Sequence, residues 1–218
     1  MPKQTFFNLL PAKQRNIVYA ALTEFTNKGY LLGSVGTIAK NATVSKGSMY
    51  QYFEDKKEFY IYLTDYVYSM VKTTMKMQLQ SHIQIDASLG VVAEQSKEIL
   101  WGIIDSYQSE ICFLFASKNE QEAEIRMHID KLSKEFKEQI IQPILKQLIQ
   151  KGSIRNDLEL EYLVLYCQSV MGICKTPLLS AVNYLEEENK LAIQMKKEEW
   201  NVIFDTVIKL ATTGLNPE

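Results

Sequence analysis

The chain is poor in the residues that interrupt regular structure. Nine glycines and five prolines in 218 residues are too few for a sandwich or barrel of short strands, which needs turn residues every 8–12 positions. Three cysteines, without a CxxC pair, give no disulfide framework; they read as core thiols or, less simply, as a redox sensor. Cys167 and Cys174 share a helical face, but seven residues at 1.5 Å each, about 10 Å, is too far for a bond within one intact helix. No unbroken apolar run exceeds six residues, as in Tyr162–Cys167, far short of a membrane span, so no membrane partner is expected. Met1–Leu10 has no long apolar stretch and no small-residue cleavage site, which argues against a signal peptide and for a cytoplasmic protein. Only two histidines occur, His82 and His128, and neither has metal-ligand spacing. The acidic clusters Glu120–Glu124 and Glu186–Glu188 read as solvated helix starts, so no catalytic residue, metal or cofactor is expected and the chain is not read as an enzyme.

What remains is a chain 46% apolar and 23% charged, of ordinary globular composition. Its net charge of −2 conceals a gradient. Residues 1–60 hold eight Lys/Arg against four Asp/Glu, whereas residues 61–218 hold sixteen against twenty-two. A basic head on an acidic body suits a polyanion-binding protein, although chance explains so modest an excess as well.

The fold class expected is all-α. Ile17, Ala20, Ala21 and Phe25 lie on one face of a helix over Ala12–Lys28, closed by Gly29 as a C′ residue. Ser34 can cap a short helix Val35–Asn41, Ser45 a second one Lys46–Tyr52, and Asp55 a long one from Lys56 to about Gln80. Ser81–Ser88 reads as a connector, and Val91–Ser117 as two helices with an unplaced break. Gln121–Lys151 reads as an amphipathic helix kinked by Pro143 and stopped by Gly152. Asn156 or Asp157 can cap Leu158–Cys174, which is apolar on nearly every side and therefore expected to be buried on two. The last helix is expected at about Lys196–Thr212.

Two short capped helices around a Thr43-Val44 turn form a helix-turn-helix. A recognition helix enters the major groove by its N-terminal end. Gly47 lets the backbone approach a base, and Lys46 can donate to guanine or phosphate. Tyr50, Tyr52 and Lys56 can hold phosphates, with Ser34, Ser45, Ser48 and Gln51 completing the candidate DNA-binding set. A plain helical hairpin with solvated lysines is the competing reading.

Ile17-Val18-x-Ala20-Ala21-x3-Phe25-x3-Gly29-Tyr30, Ile38-Ala39 and Val44-Ser45-Lys46-Gly47-Ser48-Met49-Tyr50-Gln51-Tyr52-Phe53-x2-Lys56 resemble the tetracycline-repressor-like (TetR) transcriptional regulators. The match is specific from Arg15 to about Phe59; the rest shares only the layout. Three departures stand out. The family usually has Gly where this chain has Thr43, a β-branched residue disfavoured at positive φ. Glu24 replaces a common apolar residue and is expected to face solvent. Lys57 replaces an acid and is expected to add positive charge near DNA.

The resemblance implies a DNA-binding domain over 1–55 and an effector-binding and dimerisation domain over 56–218. It implies a homodimer on a double-stranded DNA operator, with the last two helices of each chain forming the interface. Gly172, Trp200, Phe204 and Val207 are the candidate interface residues. Trp101, Tyr107, Phe113, Phe115, Tyr162 and Tyr166 are candidate contacts for a largely apolar small-molecule effector, though each aromatic is more often core at such spacing. The reading is a repressor released from its operator by a small molecule; the alternative is a helical ligand- or partner-binding protein without operator binding.

Overall fold

A computed structural model describes residues 1–82, 89–185 and 190–215. In order, the chain forms α1 (Gln4–Phe7), α2 (Pro11–Leu32), α3 (Val35–Asn41), α4 (Lys46–Tyr52), α5 (Lys56–His82), α6 (Leu89–Ser106), α7 (Gln108–Ser117) and α8 (Ala123–Phe136). A π-turn (Lys137–Ile141), α9 (Gln142–Gln150), α10 (Leu160–Met171), a 3₁₀ turn (Gly172–Cys174) and α11 (Lys175–Ser180) follow. The chain ends with a hairpin of β1 (Val182–Leu185) and β2 (Lys190–Ile193), and α12 (Lys197–Leu215).

The first compact unit comprises Met1–Met70, Tyr107–Leu132 and Val182–Ala192. It extends beyond the expected 1–55 because the start of α5 supplies its core. Phe59 stacks on Phe53 with centroids 4.1 Å apart, and Tyr60 meets Phe25 at 5.0 Å and Phe113 at 5.4 Å. Aromatic pairs of this kind add about 0.5–1.5 kcal/mol each beyond their buried area. Behind them α7 packs along α2, and the Ser109 hydroxyl donates to Leu191 O of the hairpin at 3.0 Å. The second unit comprises Val71–Ser106, Ser133–Ala181 and Ile193–Glu218. Val92, Leu145, Leu148, Ile154, Leu163, Val164 and Leu215 form one core cluster there. Trp200 is buried between Trp101 and Phe204, and the nearly buried Lys97 ammonium pairs with Glu94 and Asp205, both at 2.7 Å.

Several expected boundaries move. Gly29 has φ +66°, so the regular helix does break there, but one more turn continues to Leu32. Tyr107 is the break between α6 and α7. The distortion expected at Pro143 is the π-turn before it, which spreads the hydrogen bonding around the missing proline donor. Gly152 closes α9 at φ +67°, its N–H on Ile149 O. Glu159, not Asn156 or Asp157, precedes the first turn of α10, because the Asp157 carboxylate is taken by Arg155. The fold is all-α as expected, with this short hairpin the one addition among the described residues; Glu186–Glu188 lie outside the described residues, as does most of Ser81–Ser88. By length and composition Leu160–Ser180 could cross a membrane. One face of that stretch is core, with Leu163, Val164, Val170, Cys174 and Leu178 buried; the other is exposed rather than buried as expected. Cys112 and Cys174 are buried and all three cysteines are free. Burial pushes the Cys112 thiol up to about 12 and those of Cys167 and Cys174 to about 11.

Candidate nucleic-acid interface

The head is built from local capping outward. Ser34 Oγ accepts the Thr37 N–H at 3.3 Å, which starts α3. At its other end Thr43 N–H bonds Lys40 O at 3.1 Å and Val44 N–H bonds Ala39 O at 2.9 Å. That pair is a Schellman closure, which requires a left-handed residue at its centre. Thr43 fills it at φ +55°, in the place where a glycine is usual. Its hydroxyl donates to Ala42 O at 2.7 Å. Ser45 then caps α4, accepting the Ser48 N–H at 3.0 Å, with the two hydroxyls 2.8 Å apart. Met49 and Ile38 are buried beneath, so α4 turns its opposite side outward.

That outward side carries Ser45, Lys46, Gly47, Tyr50 and Gln51, all exposed, with Ser48 partly so; Ser34 is exposed beside it. The Lys46 side chain passes over Gly36, and Gly47 presents bare backbone. Two residues of the candidate set sit elsewhere. Tyr52 is 7% exposed and packs on Phe6, so its ring belongs to the core of the head. The Lys56 ammonium donates to Leu31 O at 3.1 Å and Gly33 O at 3.2 Å, and lies 4.6 Å from the Tyr30 ring centroid. It is spent on folding the chain between α2 and α3 rather than open for phosphate.

The two charged departures also resolve differently from expectation. Glu24 is buried, not solvated, and accepts the Ser34 N–H at 3.0 Å and the Lys28 ammonium at 3.0 Å. It supplies from α2 the carboxylate that a capping box would otherwise place inside α3. Lys57 faces Glu124 at 2.6 Å and Glu122 at 3.5 Å. The hydrogen bond that it donates to Glu124 holds its ammonium above the usual lysine range, and its charge is neutralised rather than offered to DNA. Glu120–Glu124 does start α8, with Glu122 accepting the Ile125 N–H at 2.8 Å and Glu124 exposed, but Glu120 is not solvated. The nearly buried Glu120 accepts the Tyr30 N–H at 2.9 Å, and burial together with its hydrogen bond raises the Tyr60 hydroxyl pKa. His128 meets Asp65 at 2.8 Å. The exposed cations of the head include Lys13, Arg15, Lys40 and Lys46.

The candidate effector residues divide between the units. Tyr107, Phe113 and Phe115 belong to the first, where Phe113 is wholly core. Trp101, Tyr162 and Tyr166 belong to the second. There Tyr162 is 61% exposed on α10, so it lines no interior site, and Tyr166 donates to Leu210 O at 2.6 Å. Among the candidate interface residues Gly172 is exposed, and a Cβ added there would meet none of the described residues. Trp200, Phe204 and Val207 are buried within their own chain and form no outer surface. The apolar outer residues are instead Tyr162 and Leu165 on α10, Ile173 just after it, and Val202 and Leu210 on α12. Amphipathic spacing located the apolar stripe of α12 but could not say that this stripe is used up by α6.

Residues 17–63 match the family model of bacterial regulatory proteins, tetR family. No curated protein matches the chain. Among solved structures, a TetR family transcriptional regulator from Chloroflexus aurantiacus is 23% identical, covers 99% of this chain and 98% of its own, and has a TM-score of 0.70. The transcriptional regulator FadR from Bacillus subtilis, in complex with stearoyl-CoA, is 19% identical over 92% of this chain and 98% of its own, with a TM-score of 0.68. AibR, in complex with isovaleryl coenzyme A and operator DNA, is 15% identical over 91% and 97%, with a TM-score of 0.62. The head thus matches the tetR family model by sequence, and the whole chain shares its fold with these regulators.

Proposed function

We propose that the protein is a homodimeric transcriptional repressor that reads an operator with α4 and is released by a small molecule bound in its helical body. The exposed turn Ser45-Lys46-Gly47, set on a capped helix with Met49 buried beneath, is the observation that carries the reading. Lys46 and Gly47 face base edges, while Ser34, Ser48, Tyr50 and Gln51 hold phosphates and register. The apolar faces of α10 and α12 support self-association, because an uncovered stripe of Tyr162, Leu165, Ile173, Val202 and Leu210 is more apolar than a monomer surface normally leaves open. A second copy buries that stripe without a membrane, and the protein acts in the cytoplasm, where its DNA is.

The effector is largely apolar. That two proteins of similar fold are complexed with acyl-coenzyme A thioesters supports an acyl chain as the first class to test. The experiment is selection of duplexes from a random pool by the full-length protein, followed by titration of the bound complex with acyl thioesters of graded chain length. A palindromic consensus whose complex dissociates with one class of thioester supports the reading. Absence of any selected sequence refutes operator binding and leaves a helical ligand- or partner-binding protein.

A further inference from the structure

The last carbonyls of a helix have no partner within it. In α4 the Met49 carbonyl takes the Phe53 N–H at 2.9 Å, and Phe53 leaves the helix in an extended conformation without a glycine closure. The three carbonyls that follow are each met from the N-terminal segment. Lys3 Nζ donates to Tyr50 O at 3.2 Å, the Thr5 hydroxyl donates to Gln51 O, and the Lys3 backbone N–H donates to Tyr52 O at 2.8 Å. The Lys3 ammonium also pairs with Glu54 at 2.8 Å. Beneath this row Phe6 has no exposed surface and packs on Phe53 at 5.0 Å, Tyr62 at 5.5 Å and Tyr52 at 6.3 Å. None of these N-terminal residues falls within the segment matched by the family model.

We infer that residues 3–6 form a clasp on the C-terminal turn of α4, and that Lys3 and Thr5 are positioning residues for sequence reading, Phe6 being the anchor. The inference rests on the DNA-binding reading above. A seven-residue helix is too short to hold itself. Its first turn is fixed by Ser45, and its last by the clasp, so the clasp sets the angle at which Lys46 and Gly47 meet a groove. Hydrogen bonds to base edges tolerate little misalignment, whereas ionic contacts with phosphate tolerate more. Loosening the clasp therefore lowers discrimination between operator and random DNA more than it lowers affinity for DNA as such.

The test uses full-length protein with Thr5→Val and Thr5→Ser, which leave the charge unchanged, an operator selected by the wild type from random duplexes, and a scrambled duplex of equal length. Thr5→Val is expected to weaken operator binding about five- to tenfold, the worth of one lost capping bond, while scrambled-duplex binding changes less than twofold. Thr5→Ser restores the wild-type ratio. In the same variants the Phe53 amide exchanges faster in Thr5→Val than in wild type or Thr5→Ser, with the α12 amides unchanged. An unchanged operator-to-scrambled ratio with unchanged Phe53 exchange overturns the clasp. So does an equal fall in both affinities accompanied by a lower melting temperature, which marks a merely structural role. If the wild type selects no sequence, the DNA-binding reading fails, and with it the positioning role; unaltered Phe53 exchange then removes the clasp itself as well.

Discussion

Thr43→Gly should stabilise the head although it removes a side chain. Thr43 stands at φ +55°, where the Cβ of an L-residue crowds the backbone at about 1–2 kcal/mol. Glycine relieves that strain but returns roughly 0.5–1 kcal/mol through the freedom of the unfolded chain. Thr43 is exposed, so no packing is lost, and its hydroxyl donates to the neighbouring Ala42 carbonyl. The balance is a gain of roughly 0.5–1 kcal/mol, at most about a fivefold change in the opening equilibrium. Native-state hydrogen exchange at Ile38, Ala42 and Met49 measures it locally, where a global melt of so large a chain would blur it. These amides should exchange two- to fivefold more slowly in Thr43→Gly. Thr43→Ala, which keeps a Cβ at positive φ, should differ little from wild type. Faster exchange in Thr43→Gly, or equal slowing in Thr43→Ala, would refute the assignment of strain to this turn.

Lys46→Ala should weaken DNA binding and reduce the slope of log affinity against log salt by about one, measured by fluorescence anisotropy over a salt series. Leu165→Glu should give folded monomers by sedimentation, because it places a charge on the open face of α10, whereas Phe204→Glu should unfold the body by burying one. Gly33→Ala should destabilise the head by about 1–3 kcal/mol in denaturant titration, since a Cβ there meets the Phe25 ring at 2.5 Å and Gly29 O at 2.8 Å. A disulfide reagent at pH 8 should leave Cys112 unmodified in the native protein and modify it after unfolding, because burial lifts its thiol to about 12 and leaves almost no thiolate.

The short helices of the head were legible because their signals are local. Ser34, Ser45 and Asp55 cap within three residues of themselves, and the bounds of α3 and α4 follow from that. Periodicity also found the buried stripe of α12, Trp200, Phe204 and Val207. It could not tell core from interface, since an apolar stripe looks the same whether α6 or a second chain covers it. The roles of Lys56, Lys57, Glu24 and Glu120 were misread for a related reason. A charged side chain on a helix reads as solvated or as a contact for an external ligand, and its true partner here lies on another element, as far as ninety residues away. Lys3, Thr5 and Phe6 gave only a short aromatic cluster as a signal, because the carbonyls that they serve belong to a helix more than forty residues on.

The same long-range contacts explain how α3 and α4 are held against the rest of the first unit. Past the break at Gly29, the backbone from Tyr30 to Ser34 makes the last turn of α2 and the link to α3. Glu120 takes the Tyr30 N–H, Glu24 takes the Ser34 N–H, and Lys56 donates to the carbonyls of Leu31 and Gly33. Gly33 N–H closes on Gly29 O at 3.1 Å, and its missing Cβ makes room for Phe25. Three charged side chains, from α2, from α5 and from the turn after α7, thus meet in one five-residue elbow. Bonds to charged groups are worth about 1.5–3 kcal/mol where water is excluded, so shifting any of the three elements loses a bond at the elbow unless α3 shifts with it. A rotation of α5 is therefore felt at Lys56, and a rearrangement after α7 at Glu120. Both arrive at the segment that sets the direction of α3, and through the Thr43 closure at α4. Elements α2, α5 and the turn after α7 are thus joined to α3 and α4 through backbone hydrogen bonds to ionic side chains, a coupling that no run of sequence in the head displays by itself.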